Sequence, residues 1–487
     1  MPLNEADTRA KLIDPALRQC GWTEDLVFRE QTEGSIVLDG RRARRLAGRV
    51  DYLLRVRVNP GTQPVPLALI EAKAESRPPG HGLEQARNYA RRFNVPFVFS
   101  SNGHQFVFYD STTELTSDAA PLADFPKPEQ LRLKWQAATK VNLESPEARA
   151  LLTPYRGGEG TRRYYQDAAI RAVFEKFARG DKRALLALAT GAGKTFIAAH
   201  LLRRLFDAGM ARRALFVCDR DELRTQATTA LSNLFGGEAA KVARDPEGSN
   251  AAKNARVHIA TYHSLGVAGE ENEEISFLTK NYPRDYFDVI VIDECHRSAW
   301  GSWSEVLTRN SAALQIGLTA TPRALDLPDK VKIEKGAQED ERITAYNIGY
   351  FGEPAYSYDI SQAVEDGYLA VCEIVRRDIF IQSKTANERE TGLDAADLGN
   401  IVDPVPGQPG LAEEGAHYEA ESFEAEIVLP ERTKAMAEDL FHHLLATGGP
   451  PLRRSRSPAR IARGVARGPG GRNQAPPRAT DGRLRSL

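Results

Sequence analysis

The run LLALATGAGKTFIAA, residues 185–199, constrains this chain more than any other stretch. A strand-like apolar segment stops at Thr190-Gly191-Ala192-Gly193, and Lys194-Thr195 opens a second run with helical apolar spacing. Strand, small-residue loop and helix in that order turn successive backbone N–H groups toward an anion at a helix N-terminus. In such a loop Lys194 reaches the β- and γ-phosphates of a nucleoside triphosphate and the Thr195 hydroxyl holds Mg2+. The pattern GxxxxGK[ST] has glycine where this chain has Leu188, so the loop by itself also reads as a small-residue strand-to-helix turn. A second stretch decides. FDVIVIDECHRS, 287–298, delivers Asp293 and Glu294 to the C-terminal end of an apolar strand, the edge at which α/β sheets bind ligands. Asp293 is placed to hold Mg2+, and Glu294 to orient and deprotonate an attacking water. ATP and Mg2+ are the ligands this pair of motifs calls for.

Around that loop, residues 161–325 alternate helix and buried strand, the pattern of a parallel α/β sheet. The expected strands are KRALLALAT, RALFVCD, ARVHIATY, FDVIVIDE and LQIGLTAT. Upstream, ADTRAKLIDPALRQCGW and GLEQARNYARRF read as helices, and VDYLLRVRV and LALIEAKA as strands separated by the turn-rich NPGTQPVP. VPFVFS and HQFVFYD read as a hairpin about Asn102-Gly103. The resulting division is a first domain over 1–115, a polar, proline-bearing linker over 116–160, and a nucleotide-binding lobe over 161–345. A bridge and the incomplete start of a second lobe follow over 346–448, then a tail over 449–487. At 487 residues the chain is too long for one ordinary core. A net charge of -1 means that any nucleic-acid surface is a local patch. The four cysteines are far apart and form no CxxC pair, which fits a reducing compartment. With no apolar signal region and no apolar run of bilayer length, a cytoplasmic protein without membrane association is expected.

The first domain carries its own chemistry. In LALIEAKAES, Leu69, Glu71 and Lys73 share one strand face, because side chains alternate with period two. A carboxylate and an ammonium side by side on a half-buried strand are costly unless they serve something. Asp51 opens the preceding strand, and a hairpin-like return brings it beside Glu71. Two carboxylates and a lysine converging there resemble the PD-(D/E)xK nuclease site, although Val50 stands where that pattern has proline. Asp51 and Glu71 would hold Mg2+, and Lys73 would position water and offset charge in the transition state. A surface salt bridge is the competing reading of EAK alone. Glu5, in the first helix, is a further carboxylate within reach of such a site. The run RRARRLAGR brings Arg41, Arg42, Arg44, Arg45 and Arg49 before Asp51, either as a solvated face or as contacts to DNA phosphate.

The lysine loop, Asp293-Glu294-Cys295-His296 and GLTATP at 317–322 resemble the first motor lobe of superfamily 2 helicases and translocases. In that family the loop often has a non-glycine residue at the place of Leu188. The resemblance implies that Thr319, Ala320 and Thr321 couple hydrolysis to lobe movement, that Gln166 reads adenine, and that Arg220 and Thr261 contact the nucleic-acid strand. Gln85 and Tyr89, four apart on one helix face, resemble the QxxxY element of the nuclease domain in type I restriction enzyme R subunits. Nuclease, linker and motor lobe in this order, with YFGEPAYSYDISQAVEDGYLA at 350–370, resemble that subunit over residues 1–325 and beyond. The resemblance implies an α/β chain with a PD-(D/E)xK nuclease domain before a RecA-like parallel-sheet helicase lobe. It also implies translocation and cleavage of double-stranded DNA, and partnership with a specificity subunit and a methyltransferase subunit that uses S-adenosylmethionine.

Where the family pattern would continue into a second lobe, no QxxRxxR pattern is found. From Pro450 the chain is rich in Arg, Gly and Pro without apolar periodicity. A basic tail for DNA is one reading and a shifted reading frame, preferred here, is the other; both predict disorder. The sequence therefore predicts ATP binding with impaired turnover. A free-standing helicase-nuclease of repair or defence, or an inactive remnant that only binds ATP or DNA, are the alternatives.

Overall fold

A computed structural model describes residues 1–33, 36–39, 42–45, 48–156, 162–218, 221–244, 250–266, 277–295, 303–320 and 347–369, with short pieces at 393–394, 417–418, 437 and 441–442. Contacts divide the chain into a unit of residues 1–371 and a unit of 372–487.

The first half of the larger unit is built on nine short strands: β1 (Val27–Glu33), β2 (Ile36–Asp39), β3 (Arg42–Arg45), β4 (Gly48–Val56), β5 (Val65–Ala72), β6 (Phe97–Ser101), β7 (Gln105–Asp110), β8 (Leu115–Thr116) and β9 (Ala120–Pro121). Seven form one sheet in the order β1-β4-β5-β6-β7-β8, with β9 also paired to β7, while β2 and β3 pair only with each other. Asn59 shapes the turn between β4 and β5, its carboxamide oxygen accepting from the Gly61 N–H. The β5–β6 pair is parallel, so it needs a crossover, and the helix Leu83–Phe93 supplies it. Ala86, Ala90 and Phe93 are the buried face of that helix. Asn94, with φ 50°, ends it in the left-handed conformation that asparagine tolerates. The first expected helix is present over Glu5–Gln19, interrupted by a π-turn at Arg9–Ile13. Of the arginine run, Arg42, Arg44 and Arg45 fall in β3 and Arg49 in β4, whereas Arg41 lies outside the described residues.

Within residues 116–160, expected as a linker, the stretch 120–139 packs onto this sheet, while residues 146–152 pack against the helices Tyr164–Ala178 and Lys194–Asp207. Leu122 and Phe125 are buried beneath the sheet, and the helix Pro128–Thr139 buries Leu131 and Trp135. Polar composition concealed this, because only one narrow stripe of the helix faces inward.

The second sheet contains β10 (Arg183–Leu188), β11 (Ala214–Cys218), β12 (Ala239–Lys241), β13 (Val257–Thr261), β14 (Val289–Ile292), β15 (Leu314–Thr319) and β16 (Tyr356–Tyr358). Its order is β12-β13-β11-β14-β15-β10-β16, and each neighbouring pair is parallel. The five strands expected from apolar runs are all present. Helices cover both faces of a parallel sheet, so its strands read as unbroken apolar segments. β16 was expected in a bridge toward a second lobe; it adds to the edge of this sheet beside β10. Three residues of tyrosine and serine show too little periodicity to reveal that. In the second unit, Leu393–Asp394 pairs antiparallel with His417–Tyr418; the tail 449–487 lies outside the described residues. No helix among the described residues is long and apolar enough to cross a membrane.

Gly317, in β15, is the tightest point of the second sheet. A Cβ there would lie 2.9 Å and 3.0 Å from the Phe351 ring and 3.1 Å from Leu185. Gly317→Ala is expected to lower stability by about 1–3 kcal/mol through overpacking, read as a drop in thermal midpoint.

Candidate functional sites

The first site lies at the C-terminal end of β5, against Asp51, which is the fourth residue of β4 where it was expected to open that strand. The antiparallel register of the two strands pairs Tyr52 with Ile70 and Leu53 with Leu69, and the next step of the ladder sets Asp51 opposite Glu71. Asp51 and Glu71 are both buried. One oxygen of Asp51 accepts from the Ala72 backbone N–H at 2.8 Å and the other from Arg9 Nη1 at 3.0 Å. Glu71 Oε1 accepts from Lys73 Nζ at 2.7 Å, and Lys73 also donates to Gln85 Oε1 at 3.2 Å. Gln85 Nε2 donates to the Tyr89 hydroxyl at 3.4 Å. Asp51, Glu71, Lys73, Gln85 and Tyr89, read from separate stretches of sequence, thus stand in one connected group. Glu5 is exposed but close enough for its charge to act on Asp51, Glu71 and Lys73.

Burial sets the electrostatics. It pushes the Glu71 carboxyl up to about 7, and the neighbouring Asp51 charge adds to the shift while Lys73 opposes it. Asp51 is raised for the same reason, against the Ala72 N–H and Arg9. Burial alone would lower Lys73, but the Glu71, Glu5 and Asp51 carboxylates together outweigh it, so Lys73 is raised and stays an ammonium. Two buried oxygen ligands with costly ionisation are the donor set of a hard divalent cation. Mg2+ takes one or two carboxylates and keeps its remaining positions for water and phosphate. Among the described residues no third Asp, Glu, His or Cys completes a closed cage, which leaves such positions open.

Two features of this site escaped the sequence. Arg9 reaches Asp51 across 42 positions, and nothing local marks that contact. Gly82 closes the site from the start of the crossover helix: a Cβ there would lie 2.7 Å from both Glu71 Cγ and Lys73 Cε. The glycine before an amphipathic helix was visible, but its neighbours were not.

The second site lies at the C-terminal ends of β10 and β14. Leu188 is the last residue of β10 and fully buried; a side chain there belongs to the sheet, so the departure from the glycine pattern leaves the loop untouched. Thr190 and Gly191 follow, and Gly191 and Gly193 both take φ +85°, a left-handed conformation that glycine adopts without penalty. Ala192 is buried between them. Lys194 begins the helix Lys194–Asp207, with half-buried Thr195 next. Lys194 Nζ meets Glu294 Oε1 at 3.0 Å. Asp293 follows β14, buried, its Oδ1 accepting from the Glu294 N–H at 3.1 Å. Burial, then the Glu294 charge, push Asp293 up to about 6, with Lys194 opposing. Glu294 itself has φ 52°, uncommon for a residue with a Cβ.

Gln166 is buried against the loop. Its carboxamide oxygen accepts from the Arg163 N–H at 3.0 Å, capping the helix Tyr164–Ala178, and its nitrogen lies 3.5 Å from the Ala192 carbonyl. Thr261 has its hydroxyl accepting from the Ser264 N–H, and Thr319 is buried at the end of β15. Ala320 closes the described stretch; Arg220, His296 and Thr321 lie outside the described residues.

Similarity to known proteins follows the same two-part plan. Residues 39–117 match the family described as type I restriction enzyme R protein N terminus, and residues 159–324 the family described as type III restriction enzyme, res subunit. The type I restriction enzyme EcoAI endonuclease subunit of Escherichia coli is 33% identical over 463 residues, covering 91% of this chain and 51% of that one. The EcoKI endonuclease subunit of Escherichia coli strain K12 is 27% identical over 377 residues, covering 74% and 30%. Among solved structures, a fragment assigned to the HsdR subunit of a type I restriction enzyme from Vibrio vulnificus YJ016 superposes with a TM-score of 0.56. It is 31% identical, covering 75% of this chain and 61% of that one.

The raised Glu71 has a measurable consequence for the protein without divalent ions. Above an unfolded value near 4.5 the unfolded chain releases this proton, while the folded chain holds it up to about 7. The contribution to stability is therefore complete below about pH 4.5 and lost as pH rises through 7. Wild type in EDTA should fall in denaturation midpoint relative to Glu71→Gln across that window. Asp293 titrates alike in both proteins and cancels. Parallel curves would contradict the assigned shift.

Proposed function

Because the chain belongs with the R (endonuclease) subunits of type I restriction enzymes, spanning about half the length of the EcoAI relative, we propose that its first domain is the PD-(D/E)xK nuclease of such an enzyme and residues 161–345 a RecA-like motor lobe. The observation that carries the reading is the convergence of Asp51, Glu71 and Lys73 at one sheet end, with Gln85 touching Lys73. The activity is ATP-dependent translocation of double-stranded DNA coupled to Mg2+-dependent cleavage. The partners are a specificity subunit and a methyltransferase subunit that uses S-adenosylmethionine.

In the nuclease site Asp51 and Glu71 hold the metal. When bound, Mg2+ supplies a polarised phosphate oxygen and an acidified water. Ala72 N–H and Arg9 each take one oxygen of the Asp51 carboxylate and fix its orientation. Lys73 remains cationic and stands where negative charge develops on the phosphate under attack; Gln85 limits its rotation. Burial keeps bulk water from competing with these contacts.

In the motor site the left-handed glycines aim the loop N–H groups at the β-phosphate. Lys194 exchanges its Glu294 partner for the β- and γ-phosphates, which frees Glu294 to take a proton from the attacking water. Asp293 and Thr195 hold the nucleotide's metal.

Two substitutions separate the sites. Lys73→Ala should reduce cleavage of DNA by the assembled enzyme about 100-fold or more, the usual effect of removing a transition-state contact, and leave binding of a fluorescent ATP analogue unchanged. Lys194→Ala should weaken that binding about 10- to 100-fold by removing charged phosphate contacts. Cleavage that survives Lys73→Ala, or nucleotide affinity indifferent to Lys194, would refute the corresponding assignment.

A further inference from the structure

The two sites are joined by a buried carboxylate. Asp366 is 2% exposed and accepts from three donors: the Tyr358 hydroxyl at 2.7 Å, the Tyr164 hydroxyl, and Arg92 Nη1 at 3.1 Å. A carboxylate is buried at high cost unless its lone pairs are filled, so these donors hold Asp366 and are held by it. Tyr164 and Tyr358 come from the motor sheet and its first helix. Arg92 comes from the crossover helix Leu83–Phe93 of the first domain.

On the motor side the contact continues to the phosphate loop. Tyr358 stacks flat on Tyr165, with centroids 3.9 Å apart and planes 7° from parallel. The Tyr165 hydroxyl donates to the Ala192 carbonyl at 2.8 Å, between the two left-handed glycines. The Ala189 N–H donates to the Tyr358 carbonyl at 2.8 Å, and a Cβ on Gly191 would meet Leu369 at 3.0 Å. The segment 356–369 therefore straps the loop from both ends. On the other side, the Arg92 carbonyl accepts from the Tyr356 hydroxyl at 2.6 Å, and Arg92 Nη2 pairs with Glu365 at 2.8 Å. Tyr89 and Gln85 lie three and seven positions before Arg92, on the same helix face; Gln85 accepts from Lys73 and donates to the Tyr89 hydroxyl.

We propose that residues 356–369 form a strut through which nucleotide occupancy of the phosphate loop is transmitted to the helix positioning Lys73, with Arg92 and Asp366 as its joint. This rests on the nucleotide and nuclease readings above. Neither residue touches a reacting atom; both are positioning residues. The aromatic stack and the buried carboxylate are stiff, so displacement of the Ala192 carbonyl on phosphate binding passes along them instead of dissipating in mobile side chains. Arg171 gives the crossover helix a second attachment, donating to the Phe93 and Asn94 carbonyls, so loss of Arg92 leaves it docked.

Backbone hydrogen exchange on the full chain, with and without Mg·ATPγS, tests the strut. In wild type the nucleotide should slow exchange both at 189–196 and at 83–93, the latter by about fivefold or more, the lower end of ordinary coupling between sites. In Arg92→Ala and in Asp366→Asn, protection at 189–196 should remain while that at 83–93 disappears; Arg92→Lys should restore part of it. Domain glue alone would change exchange at 83–93 equally with and without nucleotide. Protection of 189–196 that never reaches 83–93 in wild type, or that reaches it unchanged in Arg92→Ala, overturns the strut and spares the nucleotide reading. No protection at 189–196 in wild type overturns both.

Discussion

The register between β4 and β5 is the constraint on which the first site depends. Pairing of Tyr52 with Ile70 puts Asp51 beside Glu71 and within reach of the Ala72 N–H. A slip of one residue between the two strands would turn one carboxylate to the face opposite the other, because strand side chains alternate. The register is protected by what the alternate positions bury. Tyr52, Leu54, Ala68 and Ile70 are all at most 1% exposed, and a slip would force a carboxylate into their apolar surroundings. The geometry of the chemistry is thus held by apolar packing that has no part in it.

Both sites face the same electrostatic difficulty and meet it alike. Each brings two buried or half-buried acidic side chains together and sets a lysine against one of them, Lys73 with Glu71 and Lys194 with Glu294, with Arg9 on Asp51 besides in the first site. In each, one carboxyl is pushed to about 6 or 7 by burial. Burial keeps these carboxyls hard to ionise in spite of the cations beside them. The residual demand for positive charge favours a divalent ion, and this demand distinguishes these clusters from the surface ion pairs elsewhere on the chain.

Periodicity made much of this legible. Apolar runs located the strands of the parallel sheet, and the alternation of LALIEAKA placed Glu71 and Lys73 on one face. Glycines flanking Ala192 marked the loop because only a few residue types accept φ near +85°. Short, polar or long-range features were not legible. β16 has three residues, the helix Pro128–Thr139 buries two side chains through a polar surface, and Arg9 finds Asp51 across 42 positions. Each depends on tertiary contacts that leave no local pattern.

The Tyr356–Leu369 segment shows why such features matter for function. Family resemblance made it a bridge toward a second motor lobe. Its residues are spent on partners instead: Tyr358 on Tyr165 and Asp366, Tyr356 on the Arg92 carbonyl, Glu365 and Asp366 on the Arg92 guanidinium. An aromatic ring with one polar tip joins apolar packing to a directional bond, and Tyr356 and Tyr358 used this way give a short stretch of chain more fixed contacts than its length suggests. The catalytic groups need only be carried on strands. Holding two such sites in a constant relation needs side chains that are large, stiff and satisfied at both ends, and these residues provide them.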